Sequence, residues 1–425
     1  MSASPRAGIR LVERDESAVA AAKRFFAGTH RLVTPDETVA RIRPLMPLLG
    51  ITRIGDVTGL DTLGIPVVMV TRPNARSLSV AQGKGLTLAA ARASGLMESV
   101  EAYHAEHIHL PVKLGTANEL RFSHRLVDVG VLPRSSVGTL HGDLRLFWVA
   151  GADLVGGAPT WVPFELVHTD YSLPILAGSG AFLMSSSGLA SGNHLLEATS
   201  HAICELVERD ATTLWRCGDE ESRRSRRVDL ATVDDPDCRE ILGRYERAGA
   251  ATFVWETTSD VGIPAFVCVL VDREPNPGRA IAPMAGYGCH PARGVALLRA
   301  LTEAAQTRLT LITGARDDVR FGMGAPAEDL DAARRFLTEH AAVAPERSFH
   351  DAPNRPAETF DDDIAWELDR LRAVGLHQVI VVDLSRFELG VPVVRVVIPG
   401  LEALDDIPGY VPGARARRRL EARRS

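Results

Sequence analysis

The sequence predicts an α+β (mixed α/β) fold. Three observations carry that reading. Long helical stretches with an apolar face stand among short runs rich in β-branched residues. The connections between them are irregular, so the regular spacing of βαβ units is not evident. No self-similarity recurs at the period of a solenoid. With 425 residues, 45% of them hydrophobic, the chain can bury a large core and form two or more subdomains.

The elements follow in order. Residues 1–28 are polar, with a short helix expected around Val19–Phe26. Thr34 as N-cap, Pro35 at the first helical position and Glu37 at the capping-box position open a helix running to about Leu49. Ile51–Val57 and Pro66–Thr71 read as strands around the turn at Gly59–Gly64. Ser79–Ile108 is a glycine-rich turn followed by a long helix with Ala89, Ala93, Leu96, Met97 and Val100 on its apolar face. Residues 111–145 are mixed. Leu146–Leu154 and Thr160–Val162 are strands joined by Gly156-Gly157. A Gly/Ser-rich stretch, Ile175–Ser191, leads into the central helix, Ser191–Trp215.

Beyond it, Ser222–Asp229 (SRRSRRVD) reads as a basic loop. Thr252–Glu256 and Pro264–Val271 are strands, the second buried on both faces. Pro283–His290 is a glycine-punctuated strand. Pro291 starts a third helix, which Gly314 ends as a C-cap. Ala327–His340 and Asp361–Ala373 are helices on either side of a loop at 350–360. Gln378–Leu384 and Val391–Pro399 are β-branched strands, and a basic tail follows.

Several function classes drop out. A formal net charge of -6 argues against general nucleic-acid binding. No apolar run reaches the length of a membrane span, and the first residues lack the apolar core of a signal peptide. The five cysteines are scattered without a C-x-x-C pair, so neither a disulfide framework nor a zinc site is expected, and a cytoplasmic location fits. Lysine stands only at Lys23, Lys84 and Lys113, with arginine carrying nearly all positive charge; that reads as coding bias.

The chemistry gathers on three helices. Ser94, Glu98 and Glu101 lie at i, i+4 and i+7 on the first. On the central helix Glu197, Glu205 and Glu208 come round to one side, followed by Arg209 and Asp210. The third carries Glu303, Gln306 and Arg308. Each set alone reads as a solvated face. Each also lies beside small or apolar residues, which points the carboxylates towards a partly enclosed space. Acids crowded there repel one another and need compensation. Mg²⁺ takes oxygen ligands and keeps waters or phosphate oxygens, so a Mg²⁺-nucleotide explains acids interleaved with arginines better than a bare metal.

Rival patterns are weaker. A di-iron bundle needs Glu-x-x-His twice, and only Glu101–His104 supplies it. There is no Walker A loop; Gly83-Lys84-Gly85 is either a phosphate-binding helix start or a plain turn. Cys289-His290 reads as a structural pair and Cys204 as core.

Three stretches, SVAQGKGLTLAAARASGLMESVEAYHAE, SSGLASGNHLLEATSHAICELVERDA and GYGCHPARGVALLRALTEAAQTRL, resemble the YcaO family, and the similarity runs from about Thr29 to Pro412. The resemblance implies an ATP-binding fold without a Walker loop, with the nucleotide held against the acidic helices through Mg²⁺. It implies that Glu98, Glu101, Glu205, Glu208 and Glu303 serve the metal. Arg31, Thr38, Ser94, Glu98, Asn193, Glu197 and Gln306 would bind the nucleotide. Glu205 and Glu208 fall at catalytic positions, as does Arg308, a phosphate or structural arginine. Two departures stand out: Ala102 occupies a place often held by Arg, and Ser191 is the nearest hydroxyl before the Gly-Asn pair.

The resemblance divides the chain into an N-terminal segment (1–65), a catalytic domain (66–400) and a Pro/Arg-containing tail (401–425). It implies phosphorylation of a peptide-backbone amide oxygen by ATP, followed by nucleophilic attack. The end of the chain, VPVVRVVIPGLEALDDIPGYVPGARARRR, looks like that of YcaO proteins that work with a TfuA partner and make thioamides. The expected function is therefore thioamide formation on a ribosomal precursor peptide, with sulfide or another sulfur donor. A TfuA-like partner, a separate leader-binding protein and homodimerisation are expected with it. The alternatives are an azoline-forming cyclodehydratase and a non-catalytic nucleotide-binding scaffold.

Overall fold

Proline and glycine set the rhythm of the N-terminal part. The structure, a computed structural model, describes residues 21–176, 178–275, 280–315 and 326–423. Residues 21–26 form no helix; they make single bridges, Ala22 to Thr359 and Phe25 to Arg31, and the buried Lys23–Asp363 ion pair (2.6 Å) pins them down. Val19 and the rest of the N-terminal stretch lie outside the described residues. The Thr34–Glu37 capping box opens α1 (Pro35–Ile42). It stops short of Leu49 because Pro44 and Pro47 cannot continue the backbone ladder.

Next come β1 (Arg53–Asp56), β2 (Val67–Thr71) and β3 (Val80–Lys84), an antiparallel sheet in that order. Where the sequence reads a glycine turn, β3 is a strand, and its glycine has a packing role. A Cβ on Gly83 would stand 2.0 Å from the Ala91 carbonyl oxygen. The bare backbone lets α2 (Leu88–Glu106) lie directly on the sheet.

A six-stranded sheet is built from β4 (Val112–Thr116), β5 (Arg145–Asp153), β6 (Pro159–Pro163), β7 (Leu189–Ser191), β13 (Ile380–Asp383) and β14 (Val393–Val397). Its order is β4-β5-β13-β14-β7, with β6 also on β5. A short α3 (Ala117–Leu120) follows β4. At the β7 end, α2 and α4 (Leu195–Cys217) pack on the sheet, Val393 falling in the α2-side core and Val394 in the α4-side core.

The expected basic loop at 222–229 holds α5 (Glu220–Arg224) and β8 (Val228–Asp229). The next helix, α6 (Pro236–Arg247), the sequence reading passed over. A second three-stranded antiparallel sheet, β9 (Ala250–Glu256), β10 (Ala265–Asp272) and β11 (Met284–Cys289), carries α7 (Arg293–Thr313). Glycine again permits the approach: a Cβ on Gly288 would stand 2.1 Å from the Ala296 carbonyl. Gly314 closes α7 in the left-handed conformation, φ 57°. On the other side, α8 (Pro326–Ala341) sets Phe336 and His340, stacked on each other, edge-on against Phe253 and Trp255.

The short β12 (Arg347–Ser348) pairs with β8, and α9 (Phe360–Ala373) packs on α4. The basic end is not a solvated face throughout. It folds into α10 (Ala414–Ala422) against α4, with Arg415 buried and bonded to Asp210 (2.8 and 2.9 Å). All five cysteines are buried free thiols, and among the described residues no helix is long and apolar enough to cross a membrane.

Candidate active site

Helices α2 and α4 pack against β7, while α7 lies on β11 and meets α4 through Arg299 and His201; the predicted acidic residues fall along these contacts in three groups. The first group sits where the N-terminal segment crosses the start of α4. Glu197, 2% exposed, accepts the Leu32 backbone N–H (2.9 Å) and faces Arg31 Nε (3.7 Å). Asn193 donates to Thr38 Oγ1 (3.1 Å) and to Glu197 (3.5 Å). Four sequence-predicted residues, Arg31, Thr38, Asn193 and Glu197, are thus one network.

The second group joins α2, β7 and α4. Glu101 accepts both the Ser191 N–H (2.8 Å) and the Ser191 hydroxyl (2.7 Å). Burial, with Glu98 and Glu205 adding to it, pushes Glu101 up to about 8 against those two bonds. Arg31 feels the charge of Glu101, which ties this group to the first. Ser94 lies half-buried one turn before Glu98.

In the third group α4 faces α7. Arg209 bridges Glu205 (3.2 Å) and Glu208 (3.3 Å). Burial raises Glu208 to about 7; Glu303 and Glu205 add to that and Arg209 and Arg299 oppose it. Glu208 Oε2 is buried without a hydrogen-bond partner among the described residues. Glu303 pairs with Lys84 at the end of β3 and accepts the Tyr287 N–H (3.3 Å). Burial alone would raise Glu303, but Lys84 and Arg209 hold it below its ordinary value. Arg299, one turn earlier on α7, contacts His201 of α4 (3.0 Å), and burial with that charge keeps His201 neutral.

Two predicted residues stand apart. Arg308 does not reach the acids. It is clamped by Asp61 (2.8 Å) and Asp272 (2.8 Å), because five residues along a helix turn it well away from Glu303. Gln306 donates to the Gln82 carbonyl of β3 (2.9 Å), so its amide holds α7 to the first sheet. Lys84, Arg209 and Arg299 are the residues the sequence assignment left out. Arg209 was legible as the neighbour of Glu208, and Arg299 as the residue four before Glu303.

The donor set fits Mg²⁺. Among the described residues no three acids form a closed metal cage. Mg²⁺ does not require one, since it binds through one or two carboxylates and completes its shell with water and phosphate oxygens. The orphaned Glu208 oxygen and the raised Glu101 are what carboxylates look like when their counter-charge comes from outside the protein. Bound there, the ion would supply charge neutralisation between the acids and a phosphate chain.

Comparison with known proteins shows the family and the fold. Residues 82–402 match the family model described as YcaO cyclodehydratase, ATP- and Mg²⁺-binding. The chain belongs to the YcaO family. The fold is that of YcaO from Methanopyrus kandleri bound with AMPPCP and Mg²⁺ (TM-score 0.72, 24% identity, 93% of this chain and 99% of that one). It is also that of a heterocyclase in complex with substrate and cofactor (TM-score 0.71, 23% identity, 91% of this chain), of which the chain spans 54%. In sequence the chain is 38% identical over 385 residues to an uncharacterised protein in the tfuA 3′ region of Rhizobium leguminosarum bv. trifolii, covering 89% of this chain and 90% of that protein. This YcaO protein thus belongs to an ATP-dependent, cyclodehydratase-type enzyme family.

Proposed function

We propose that this YcaO protein converts a backbone amide of a ribosomal precursor peptide into a thioamide, together with a TfuA-like partner. The observation that carries the reading is the 38% identity to a protein encoded beside tfuA, taken with the convergent acid–arginine site. The amide oxygen attacks the γ-phosphorus of ATP and ADP departs. Hydrosulfide then adds to the amide carbon and the C–O bond breaks. Phosphate leaves with the hydrosulfide proton, so amide, ATP and HS⁻ become thioamide, ADP and hydrogen phosphate.

In this reading Glu205 and Glu208 hold the reactive end of the Mg²⁺-nucleotide. Arg209, fixed between them and held above its ordinary pKa by Glu208 once burial is offset, stabilises charge on the transferred phosphoryl group. Arg31, Thr38, Asn193 and Glu197 orient the rest of the nucleotide. The enzyme works mainly by positioning and electrostatics, since phosphorylation turns a poor leaving oxygen into a good one. A precursor peptide, a separate leader-binding protein and a second copy of the chain complete the proposed assembly.

The test is the intact mass of a candidate precursor peptide from the same gene neighbourhood. It is incubated with this protein, the TfuA-like partner, ATP, Mg²⁺ and sulfide. A sulfide-dependent gain equal to sulfur minus oxygen is the expected result. Loss of one water without sulfide would move the protein to azoline formation, and nucleotide binding without turnover on any peptide would make it a scaffold.

A further inference from the structure

The candidate site does not end at Arg209. Arg209 and Arg216 stand seven residues apart on α4, two turns along one face, with about 10.5 Å of helix rise between them. The Tyr287 ring of β11 fills that interval. Its centroid lies 6.0 Å from the Arg209 guanidinium carbon and 5.6 Å from that of Arg216. The strand aims the ring there. Gly286 and Gly288 face α7, where a Cβ on either would strike helix backbone, so the Tyr287 side chain leaves β11 on the opposite face. It packs there against a core that includes Trp255 and Val267.

The ring is anchored on its far side. Arg216 Nη2 donates to the Tyr287 hydroxyl, and Arg216 Nη1 is held by Asp405 (2.7 Å) and Asp406 (2.9 Å). The Tyr287 N–H meanwhile donates to Glu303 (3.3 Å). One residue thus touches α7 through its backbone and both α4 arginines through its side chain.

The two arginines are not held alike. Arg216 has acids from beyond the last strand. Among the described residues the carboxylates paired with Arg209 are Glu205 (3.2 Å) and Glu208 (3.3 Å), both on its own helix and both proposed to hold Mg²⁺. Oxygen given to an ion is withdrawn from the guanidinium, and a long side chain then regains its rotamer freedom. A ring face does not compete for Mg²⁺, which takes oxygen ligands. With its side chain only 19% exposed, Arg209 is desolvated enough for a cation–π contact to count.

We propose that Tyr287 is a positioning residue for phosphoryl transfer: its ring keeps the Arg209 guanidinium in place while Glu205 and Glu208 serve the metal. This rests on the function proposed above and adds a residue that the acid pattern does not contain. A group that orients a transition-state donor shows in kcat rather than in the KM for nucleotide. The groups proposed to hold the nucleotide in the ground state, Arg31, Thr38, Asn193 and Glu197, form a separate network.

Two measurements on the full chain test it. In crystals of the wild-type protein with Mg²⁺ and AMPPCP, the Arg209 guanidinium should stay over the Tyr287 ring. In Tyr287→Leu it should leave that place or spread over several rotamers. In the thioamidation assay with the partner, Tyr287→Leu should lower kcat roughly threefold to thirtyfold while the KM for Mg-ATP stays within about twofold. Tyr287→Phe, which keeps the ring and loses the bond from Arg216, should recover most of that loss. Should Tyr287→Leu fail to fold, Tyr287→Met takes its place with the same expected result. An Arg209 that leaves the ring in the wild-type complex overturns the proposal, as does one that keeps its place in Tyr287→Leu. An unchanged kcat in a folded variant, or a loss that falls on KM alone, overturns it too. If no peptide elicits turnover, the underlying function fails and takes the role in phosphoryl transfer with it, while the crystals still decide the ring contact.

Discussion

Helix α7 carries two ionic assemblies a turn and a half apart, and they are built on opposite terms. Arg308 is closed off: Asp61 and Asp272 take its guanidinium at 2.8 Å each. The site around Glu208 is left open. It contains an orphaned carboxylate oxygen, a neighbour Glu101 raised to about 8, and three cations that hold the acids without satisfying them all. Both use the same residue types. What separates a strut from a site is whether the chain completes the charge balance itself or leaves part of it to a ligand.

The comparison breaks most visibly at its open half. Glu208→Gln should lower turnover by at least about a hundredfold, since it removes a carboxylate proposed to hold the Mg²⁺ that neutralises the phosphoryl group. The melting temperature should be unchanged or higher, because a buried and partly unpartnered carboxylate is relieved. A turnover assay beside a thermal melt reads both, and retained activity would sink the assignment.

Arg308→Leu should do the reverse. It leaves Asp61 buried without its partner, and a loss of about 3 kcal/mol in urea unfolding is expected. Activity per folded molecule should persist. If activity falls while stability holds, Arg308 belongs to the site after all.

The two halves of the titration curve sharpen the contrast further. Glu101 and Glu208 sit above the unfolded carboxylate value, so the folded state holds protons that the unfolded chain has lost. Stability should therefore decline as pH rises from about 5 to about 8, by at most about 1.4 kcal/mol per unit for each group. Burial lowers His30 and His104 to about 4 and keeps His201 and His290 neutral. There the unfolded chain binds the extra protons, so stability should also decline as pH falls below about 6.5. Melting curves against pH should peak near neutrality. Mg²⁺ with a non-hydrolysable nucleotide should flatten the alkaline side alone.

The smallest effect belongs to Ser191→Ala. It removes one of the two bonds that keep Glu101 from rising further, and nucleotide affinity should weaken by roughly threefold to tenfold. Titration calorimetry at pH 7 would register it; an unchanged affinity would place Ser191 outside the working site.

Much of this was legible in the sequence because a helix fixes its own faces. The spacing of Glu98 and Glu101, and of Glu197, Glu205 and Glu208, needs no tertiary information to put acids together. The partners that decide their chemistry come from elsewhere in the chain. Lys84 reaches Glu303 across 219 residues, and Asp61 reaches Arg308 across 247. No local pattern announces either. Strand β3 looks like a turn in the sequence because Gly83 and Lys84 carry turn chemistry, whereas their roles are to admit α2 and to pair with Glu303. Helix α6 gives a weak signal in the sequence although Asp235 and Pro236 form a normal helix start, because its buried side is only Cys238, Ile241 and Tyr245. Arg415, read as part of a basic end, is the deepest case: Asp210 of the central helix makes it a core residue.

The glycine contact beneath α7 has one more consequence. Most helices rest on their sheets through a layer of side chains that can repack, and their height drifts as those side chains change. Here Gly288 and, one turn along α7, Gly286 bring backbone against backbone; Gly286 meets the backbone of Ala300, Glu303 and Ala304, so peptide geometry itself sets the gap between Glu303 and the Tyr287 amide. This acid of the candidate site is indexed to the sheet like a hinge pin to its plate. The surrounding core could be repacked by substitution while that one spacing stays fixed.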